Sequence, residues 1–269
     1  MSALTFTLKT ALQQSVDCSA LTPDNLAGKA VTEIAAIQLA KGRNPLLAGD
    51  IFEITGEDTQ HLIFNGDCSM LNYLGAGMVS DSITIQGNAG AYLGYQLSGG
   101  SITCTGSSDD FAACCMRGGL LTIHGNTGHY LGAGTDGLRK GMLGGTVIIK
   151  GNAGDRVGDQ MRRGLILIEG NVGDYCGSRM IAGTIGVLGN AGMYAGFNMR
   201  RGTLLFKQSP TLHATLQDCG MHTLPFLSLL TKSFAELDTA FKHFKLNRVQ
   251  RFVGNAANQG NGEILVLTA

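Results

Sequence analysis

The sequence predicts an all-β fold, a right-handed parallel β-helix, and two observations carry that prediction. A glycine-rich segment recurs along the 269-residue chain, with lead glycines at Gly87, Gly106, Gly125, Gly151, Gly170 and Gly189. The steps between these glycines are 19, 19, 26, 19 and 19 residues. Because self-similarity at a fixed period is typical of solenoids, each period predicts one coil of the helix.

Each coil is expected to contain one strand. The segments 82–86, 146–150 and 165–169 directly before lead glycines are rich in β-branched residues and alternate in polarity, which indicates half-buried strands. The glycines that follow indicate a tight corner or a close approach of two backbones. Because a 19-residue period that holds a strand and several glycines leaves no room for a long helix, residues 50–207 predict about eight stacked coils.

Two further sets of residues keep the same spacing and predict structural ladders. Asparagine tolerates left-handed backbone and can hydrogen-bond along a stack, and methionine fills irregular space in a core. The predicted ladders are Asn88, Asn126, Asn152, Asn171 and Asn190, and Met116, Met142, Met161, Met180 and Met199. The single 26-residue step predicts an insertion around residues 135–140 that protrudes as a loop.

The two ends of the array are expected to close it, because the terminal coils of a solenoid would otherwise expose apolar surface. Residues 1–49 are predicted to form an N-terminal cap that contains an edge strand at 4–8. Residues 208–269 are predicted to form a tail with a helix after Pro225 and short strands at 248–254 and 262–266.

Composition indicates a protein of the reducing cytoplasm. The formal net charge is zero, which gives no argument for nucleic acid or membrane partners, and no apolar run is long enough to span a bilayer. The first residues carry no basic, apolar segment of the kind that directs secretion. The seven cysteines form no Cys-x-x-Cys pair, so neither a disulfide framework nor a metal site is expected.

The sequence offers no persuasive catalytic set. His124 occupies a repeat position that holds Gln86, Lys150 or Glu169 elsewhere, which favours an outward side chain. An alternative interpretation, a stand-alone carbohydrate-active β-helix enzyme, would need clustered acids and aromatics on one outward face and a secretion signal. The adjacent acids 109–110 do not meet this need, since two neighbours at a corner usually point apart. A left-handed β-helix acyltransferase would need hexapeptide repeats, which are missing. The glycine-rich runs do not open helices, so they are not dinucleotide sites.

The outward pattern that carries a hypothesis is arginine. Arg117, Arg162 and Arg200 each follow a methionine of the ladder, with Arg163 and Arg201 beside the latter two. Coils stack roughly 4.8 Å apart, so residues on alternate coils lie about 10 Å apart. The row is a candidate contact for a polyanionic chain or an acidic protein surface; the alternative is an ordinary solvated face.

The combined motifs resemble a known family. A Gly-x-x-Gly-x-x-x-Gly signature recurs, for example at Gly151, Gly154 and Gly158, and the runs 158–164, 177–184 and 260–264 accompany it. The pattern resembles the C-terminal β-helix domain of glutamate synthase. It is more similar to the C subunit of formylmethanofuran dehydrogenase, and most similar to the C subunit of the bacterial formyltransferase/hydrolase complex.

The resemblance implies a subunit of a multi-chain enzyme of one-carbon metabolism, in which formaldehyde is oxidised to formate. Such complexes use a methanofuran-type coenzyme and tetrahydromethanopterin, and the metal and the chemistry belong to hydrolase-like and formyltransferase-like partners. The C subunit is then expected to be a non-catalytic structural and docking piece that binds no cofactor alone. Because the family's coenzyme carries glutamyl residues, the arginine row is a candidate guide for its acidic tail.

Overall fold

The computed structural model describes residues 2–40, 45–135, 137–244, 248–258 and 260–267. Residue Asp136 of the predicted insertion lies outside these ranges. The strands are β1 (Ala3–Leu8), β2 (Val16–Asp17), β3 (Gln38–Ala40), β4 (Leu46–Leu47), β5 (Phe52–Thr55), β6 (Asp58–Asn65), β7 (Leu71–Asn72), β8 (Ser82–Gln86), β9 (Ser101–Cys104), β10 (Leu120–Ile123), β11 (Leu143–Ile149), β12 (Arg163–Ile168), β13 (Thr184–Val187), β14 (Thr203–Phe206), β15 (Gln217–His222), β16 (Val249–Gly254) and β17 (Gly262–Leu267). The helices are α1 (Pro23–Leu26), α2 (Val31–Ala35), α3 (Ala48–Ile51) and α4 (Phe226–Ala235), with 3-10 turns at Ala240–His243 and Ala256–Asn258.

One large, mainly parallel sheet dominates the described residues, so the prediction of a mostly β chain is confirmed. Its strand order is β15-β16-β17-β14-β13-β12-β11-β10-β9-β8-β6-β1-β5, which leaves β5 and β15 at the edges. The parallel register repeats the spacing of the sequence, because equivalent apolar residues pair along Ile83, Ile102, Leu121, Val147, Ile166, Ile185 and Leu204. Each repeat therefore adds one strand directly beside the strand of the preceding repeat.

A second line of contacts joins the same repeats beyond each lead glycine. Single parallel bridges connect Cys68, Ala89, Ser108, Thr127, Ala153, Val172 and Ala191 in turn. Beside them, the Asn126 side-chain oxygen accepts from the Asn152 backbone N–H at 2.8 Å. Asn152 and Asn171 repeat that contact, each accepting from the next asparagine N–H at 2.8 Å. These amides satisfy backbone donors at corners where no continuous strand could do so.

The methionine ladder lies in the core. Met116, Met142, Met161, Met180 and Met199 are all fully buried. The flexible thioether side chains belong to one apolar cluster that also contains strand residues such as Ile166 and Ile185. Burying each of these side chains contributes roughly 1.5–3 kcal/mol. Since the column is continuous, the cluster extends through all the repeats and links them into one core.

The lead glycines are required by the approach of successive backbones. A Cβ on Gly151 would lie 2.5 Å from the Asn126 Oδ1 and 2.5 Å from the Gly125 carbonyl oxygen. Gly170 and Gly189 stand in equivalent positions against the repeats before them. A contact this short cannot be relieved by rotating a side chain, because backbone atoms are on the other side. Close approach therefore explains why these positions are glycine.

The predicted N-terminal edge strand is wrong in one respect. β1 pairs in parallel with β6 and in antiparallel with β5, so β5 forms the edge. The reason is aromatic packing: Phe6 of β1 stacks on Phe64 at 4.8 Å and meets Phe52 edge-on at 5.5 Å. The alternating pattern of β1 reports one buried face, and it cannot report whether both edges of the strand are paired.

The C-terminal segment packs on the face of the sheet opposite the main apolar cluster and then rejoins the sheet. Leu227, Phe234 and Phe241 form a second apolar cluster with strand residues such as Leu167. Gly186 leaves room for this cluster, since a Cβ there would lie 2.7 Å from the Phe241 ring. The predicted helix and both predicted strands are present as α4, β16 and β17, whereas β15 was not predicted. β17 pairs in parallel with β14 and so extends the main sheet.

No helix within the described ranges is long and apolar enough to cross a membrane.

Candidate functional site: an arginine groove beside an aromatic column

The candidate site arises from the backbone on either side of the buried methionines. Gln160, Arg179 and Asn198 precede methionines and have left-handed backbone, with φ of 59°, 52° and 56°. The residues that follow the same methionines are Arg162, Ile181 and Arg200. Since each methionine points into the core, its two neighbours face outward, and consecutive repeats align them in two adjacent rows.

These two rows form a groove of about 610 Å³. We call it the arginine groove, and its lining residues are Arg139, Gln160, Arg162, Arg179, Ile181, Asn198 and Arg200. A neighbouring depression of about 670 Å³ shares part of this lining and adds Leu143, Arg163, Ala182 and Arg201. Of the five arginines predicted from the sequence, the structure therefore brings four together. The fifth, Arg117, is exposed and lies outside the described lining of both depressions.

Arg139 and Arg179 belong to the groove and were missed by the sequence reasoning. Arg139 lies in the insertion, which a repeat alignment sets aside, and its carbonyl oxygen is 3.5 Å from the Arg162 Nη2. Arg179 stands one position before the methionine column, on the side opposite the predicted row. Arg179 could have been predicted from the sequence, because the residue before each ladder methionine, like the residue after it, is expected to face outward.

The groove carries positive charge with little compensation. Within the described part of the chain, Arg179 is the one groove arginine with an ion pair, to Asp159. The Arg162 Nε is buried and has no hydrogen-bond partner among the described residues. Guanidinium groups with free donors bind carboxylates through two parallel hydrogen bonds. The arrangement is therefore suited to holding several carboxylates in a row.

A buried carboxylate fixes the orientation of Arg179. Asp159 is only 3% exposed, and its Oδ1 accepts from the Arg179 Nε at 2.9 Å. The Arg179 Nη2 donates to the second oxygen of Asp159, and the Ser178 hydroxyl donates to the first. The hydrogen bond to Asp159 raises the pKa of Arg179 further above its usual value. Arg179 thus stays charged and in place at the end of the groove.

An aromatic column runs beside the arginine groove. Tyr73, Tyr92, Phe111 and Tyr130 stack at centroid distances of 4.5, 4.9 and 4.9 Å. All four have left-handed backbone, with φ between 60° and 63°, a conformation uncommon for aromatic residues. The sequence reasoning missed this column, although an aromatic residue every 19 positions is visible in the chain.

In the next repeat the equivalent position is Arg156, so a guanidinium group stands where the other repeats have a ring. Arg156 follows Tyr130 in the series and lies over the Tyr175 ring, 4.8 Å from its centroid. Tyr175 then stacks on Tyr194 at 5.0 Å. Stacking of a guanidinium on tyrosine is favourable by about 0.5–2 kcal/mol. A second stack of flat groups therefore runs from Arg156 through Tyr175 to Tyr194, in the repeats that follow the four stacked rings.

Among the described residues, His124 and the other titratable groups of the repeats near it show no catalytic arrangement. The His129 Nδ1 accepts from the Asp155 backbone N–H at 2.9 Å, and Asp110 accepts from the His129 backbone N–H at 2.6 Å. His124 is exposed. Burial raises the pKa of the Cys114 thiol, which disfavours the reactive thiolate. Across the described ranges, no group of three or more His, Cys, Asp or Glu side chains is placed to hold a metal ion.

Comparison with known proteins gives a consistent set of matches. Residues 69–224 match the model of a family described as GXGXG motif. The C subunit of the tungsten-containing formylmethanofuran dehydrogenase 2 of Methanothermobacter thermautotrophicus is 35% identical over 97 residues, which are 34% of this chain and 36% of that protein. The C subunit of the formyltransferase/hydrolase complex Fhc of Methylorubrum extorquens is 37% identical over 86 residues, 32% of each chain. These alignments thus span about a third of each curated relative.

A solved structure matches almost the whole chain. It is a chain in the X-ray crystal structure of the formyltransferase/hydrolase complex FhcABCD from Methylorubrum extorquens in complex with methylofuran. The TM-score is 0.90 at 36% identity, and the match covers 98% of this chain and 100% of that chain. The similarity therefore includes the N-terminal and C-terminal segments that the repeat itself does not explain.

Proposed function

The chain belongs to the GXGXG motif family, and its relatives include the C subunits of formylmethanofuran dehydrogenase and of the Fhc complex. From this we propose that it is a non-catalytic docking subunit of a formyltransferase/hydrolase complex. The complex would act in tetrahydromethanopterin-linked one-carbon metabolism. Hydrolase-like and formyltransferase-like chains would be its partners and would hold the metal and the reacting groups. The match to a chain of a multi-subunit assembly supports this proposal.

The proposal includes the architecture that would make the chain a stiff surface. The repeats would form a right-handed parallel β-helix of about eight coils, between an N-terminal cap and a C-terminal tail. Two registered lines of contact between successive repeats support it, one along the sheet and one along the single bridges. Since both lines follow the same spacing, the repeats are held at fixed separations, which suits a protein that positions partners.

Within this role, the arginine groove would guide the acidic tail of a methanofuran-type coenzyme. The observation that carries this step is the group of arginines lining one groove, of which only Arg179 has an ion pair among the described residues. Arg162 and Arg200 stand two repeats apart, about 10 Å by the spacing of strands. A chain of carboxylates could contact both at once, and Arg139 and Arg179 would extend the contact.

The experiment is charge reversal in the reconstituted complex. The double variant Arg162→Glu/Arg200→Glu is compared with the single variant Lys232→Glu, an exposed site on α4. We expect an intact complex by size-exclusion chromatography and turnover lowered by about tenfold or more, which corresponds to roughly 1.4 kcal/mol of lost interaction. The control should match the unmodified complex.

Two outcomes would contradict the proposal. Unchanged turnover of the double variant would show that the coenzyme does not bind in the groove. Loss of assembly would show instead that the two arginines belong to an interface between chains. Separately, conversion of a formyl substrate by the purified single chain would end the non-catalytic role. The alternative of a carbohydrate-active enzyme is not favoured by the groove, whose described lining contains no acid.

A further inference from the structure

Two departures from the repeat occur at one level of the molecule. The 26-residue step places an insertion between Gly132 and Met142. At the next position of the aromatic column, Arg156 replaces a ring. Three residues further on, Asp159 adds a buried carboxylate at a position whose residue varies from repeat to repeat. A feature needed only for stacking would recur in every repeat, so two coinciding exceptions beside a buried acid indicate a site built for another purpose.

These exceptions line a cleft of about 710 Å³. We call it the aromatic cleft, and its lining residues are Phe111, Tyr130, Gly134, Thr135, Gly137, Leu138, Arg139, Arg156, Asp159, Gln160 and Arg179. A smaller hollow of about 230 Å³ continues it, shares Phe111 and Thr135, and adds Tyr73, Tyr92 and Tyr95. The cleft therefore combines the edges of stacked rings with three guanidinium groups.

The charge of the cleft selects for anions. Asp159 is the single acid in the described lining, and its oxygens are occupied by Arg179 and Ser178. Among the ion pairs of the described residues, none involves Arg139 or Arg156. A buried acid that holds one arginine while two others remain available leaves a net positive cavity. Carboxylates are the anions that such planar donors bind with two parallel hydrogen bonds.

The rings select for a flat apolar group. Within the column, ring faces are covered by neighbouring rings, with interplanar angles of 5° to 7° between Tyr73, Tyr92, Phe111 and Tyr130. Tyr95 packs in T-shaped geometry against Tyr73 and Tyr92 at 5.8 and 6.0 Å. The rings that line the cleft itself are Phe111 and Tyr130. Ring edges carry the positive side of the quadrupole. Edges of this kind pack against the π face of another ring in a T-shaped geometry. A saturated ring of the same size has no such face.

We infer that the aromatic cleft is a ligand site for an aromatic carboxylate, with the ring against the edges of Phe111 and Tyr130 and the carboxylate on Arg139 and Arg156. This goes beyond the proposed function, because an acidic chain moving along the arginine groove requires no aromatic wall. The cleft shares Arg139, Gln160 and Arg179 with the groove. The two sites are therefore contiguous, and a ligand in the cleft lies at the end of the groove.

The test uses three small probes with the full-length chain. Benzoate carries both features, cyclohexanecarboxylate lacks the aromatic face, and benzyl alcohol lacks the charge. Ligand-observed NMR titration gives a dissociation constant for each, and tyrosine fluorescence gives a second signal because the chain has no tryptophan. We expect benzoate to bind at least about fivefold more tightly than either other probe, the amount that one favourable aromatic or charged contact provides.

Variants locate the binding. Arg156 lines the cleft and not the groove, and Arg156→Met should weaken benzoate binding about tenfold, as loss of a charge-assisted contact does. Arg139→Met provides a second variant at an exposed position, in case loss of the contact with Tyr175 disturbs the fold. Arg201→Met, in the other depression, is the matched control and should leave benzoate binding unchanged.

The inference is overturned if cyclohexanecarboxylate binds as tightly as benzoate, if no probe binds, or if Arg201→Met weakens binding as much as Arg156→Met. None of these results depends on the assembled complex or on turnover. Failure of the cleft is therefore distinguishable from failure of the proposed function, whose test measures turnover after changes at Arg162 and Arg200.

Discussion

The corner that carries the asparagine ladder and the face that carries the arginine groove are built from the same repeats, but they obey different rules. At the corner, Asn126, Asn152 and Asn171 each bond the repeat that follows, and every contact is repeated in kind. At the groove, Arg162 and Arg200 alternate with Ile181, and the charges are not matched by acids. Repetition therefore marks residues that hold the stack, and departure from it marks residues available to ligands or partners.

Substitution of a lead glycine should give the largest loss of stability. Gly151→Ala would place a Cβ 2.5 Å from a backbone carbonyl oxygen of the preceding repeat, so the two repeats must separate. We expect the free energy of unfolding to fall by about 3 kcal/mol or more, measured by urea denaturation. Gly220→Ala is the control, since its φ is 80° but open space surrounds it. The control should cost about 1 kcal/mol from backbone strain alone, and equal losses would refute the steric explanation.

The methionine ladder should give the next largest effect. Met161→Ala removes a fully buried side chain from the middle of the column, and the expected loss in the free energy of unfolding is about 2–4 kcal/mol from transfer and cavity terms. Met193→Ala changes a methionine that is 50% exposed and should alter stability by less than about 0.5 kcal/mol. The measurements are thermal and urea unfolding. Similar losses for Met161→Ala and Met193→Ala would mean that burial of the methionine ladder does not stabilise the core.

The groove should give the smallest effect on stability. Arg200→Met removes an exposed charge that forms no ion pair among the described residues. Because its charged neighbours are other arginines, we expect the free energy of unfolding to stay within about 0.5 kcal/mol or to rise slightly. The measurement is urea denaturation at low and at moderate salt, where screening should shrink any gain. A large loss would place Arg200 among the residues that hold the stack.

The repeating part of this molecule could be predicted further than its ends. Apolar residues at a fixed spacing indicate that equivalent residues of successive repeats lie side by side. The pairing of Ile166 with Ile185 follows this spacing. β15 was not predicted because Gln217–His222 has no buried face to signal it; its pairing with β16 is set by the fold of the tail. The placement of β1 between two strands was likewise invisible, since alternation reports burial and is silent on edges.

The candidate site was predictable in part for the same reason. Arg162 and Arg200 were found because they follow a column, and the structure places them in one groove. Arg139 was missed because it belongs to an insertion that has no counterpart in other repeats. Arg179 and Asp159 were missed because their significance depends on an ion pair between side chains, which spacing alone does not reveal.

The pairing of β17 with β14 has a consequence for how the protein is made. Leu204 and Ile264 are neighbours in the sheet but sixty positions apart in the chain. As the polypeptide leaves the ribosome, earlier rungs can be added one after another, each onto the last. The edge of β14 therefore stays unpaired for roughly 3–12 seconds, the time in which translation at about 5–20 residues per second reaches β17. This interval is when the nascent chain is most exposed to pairing with the wrong strand, and a chaperone would matter most there.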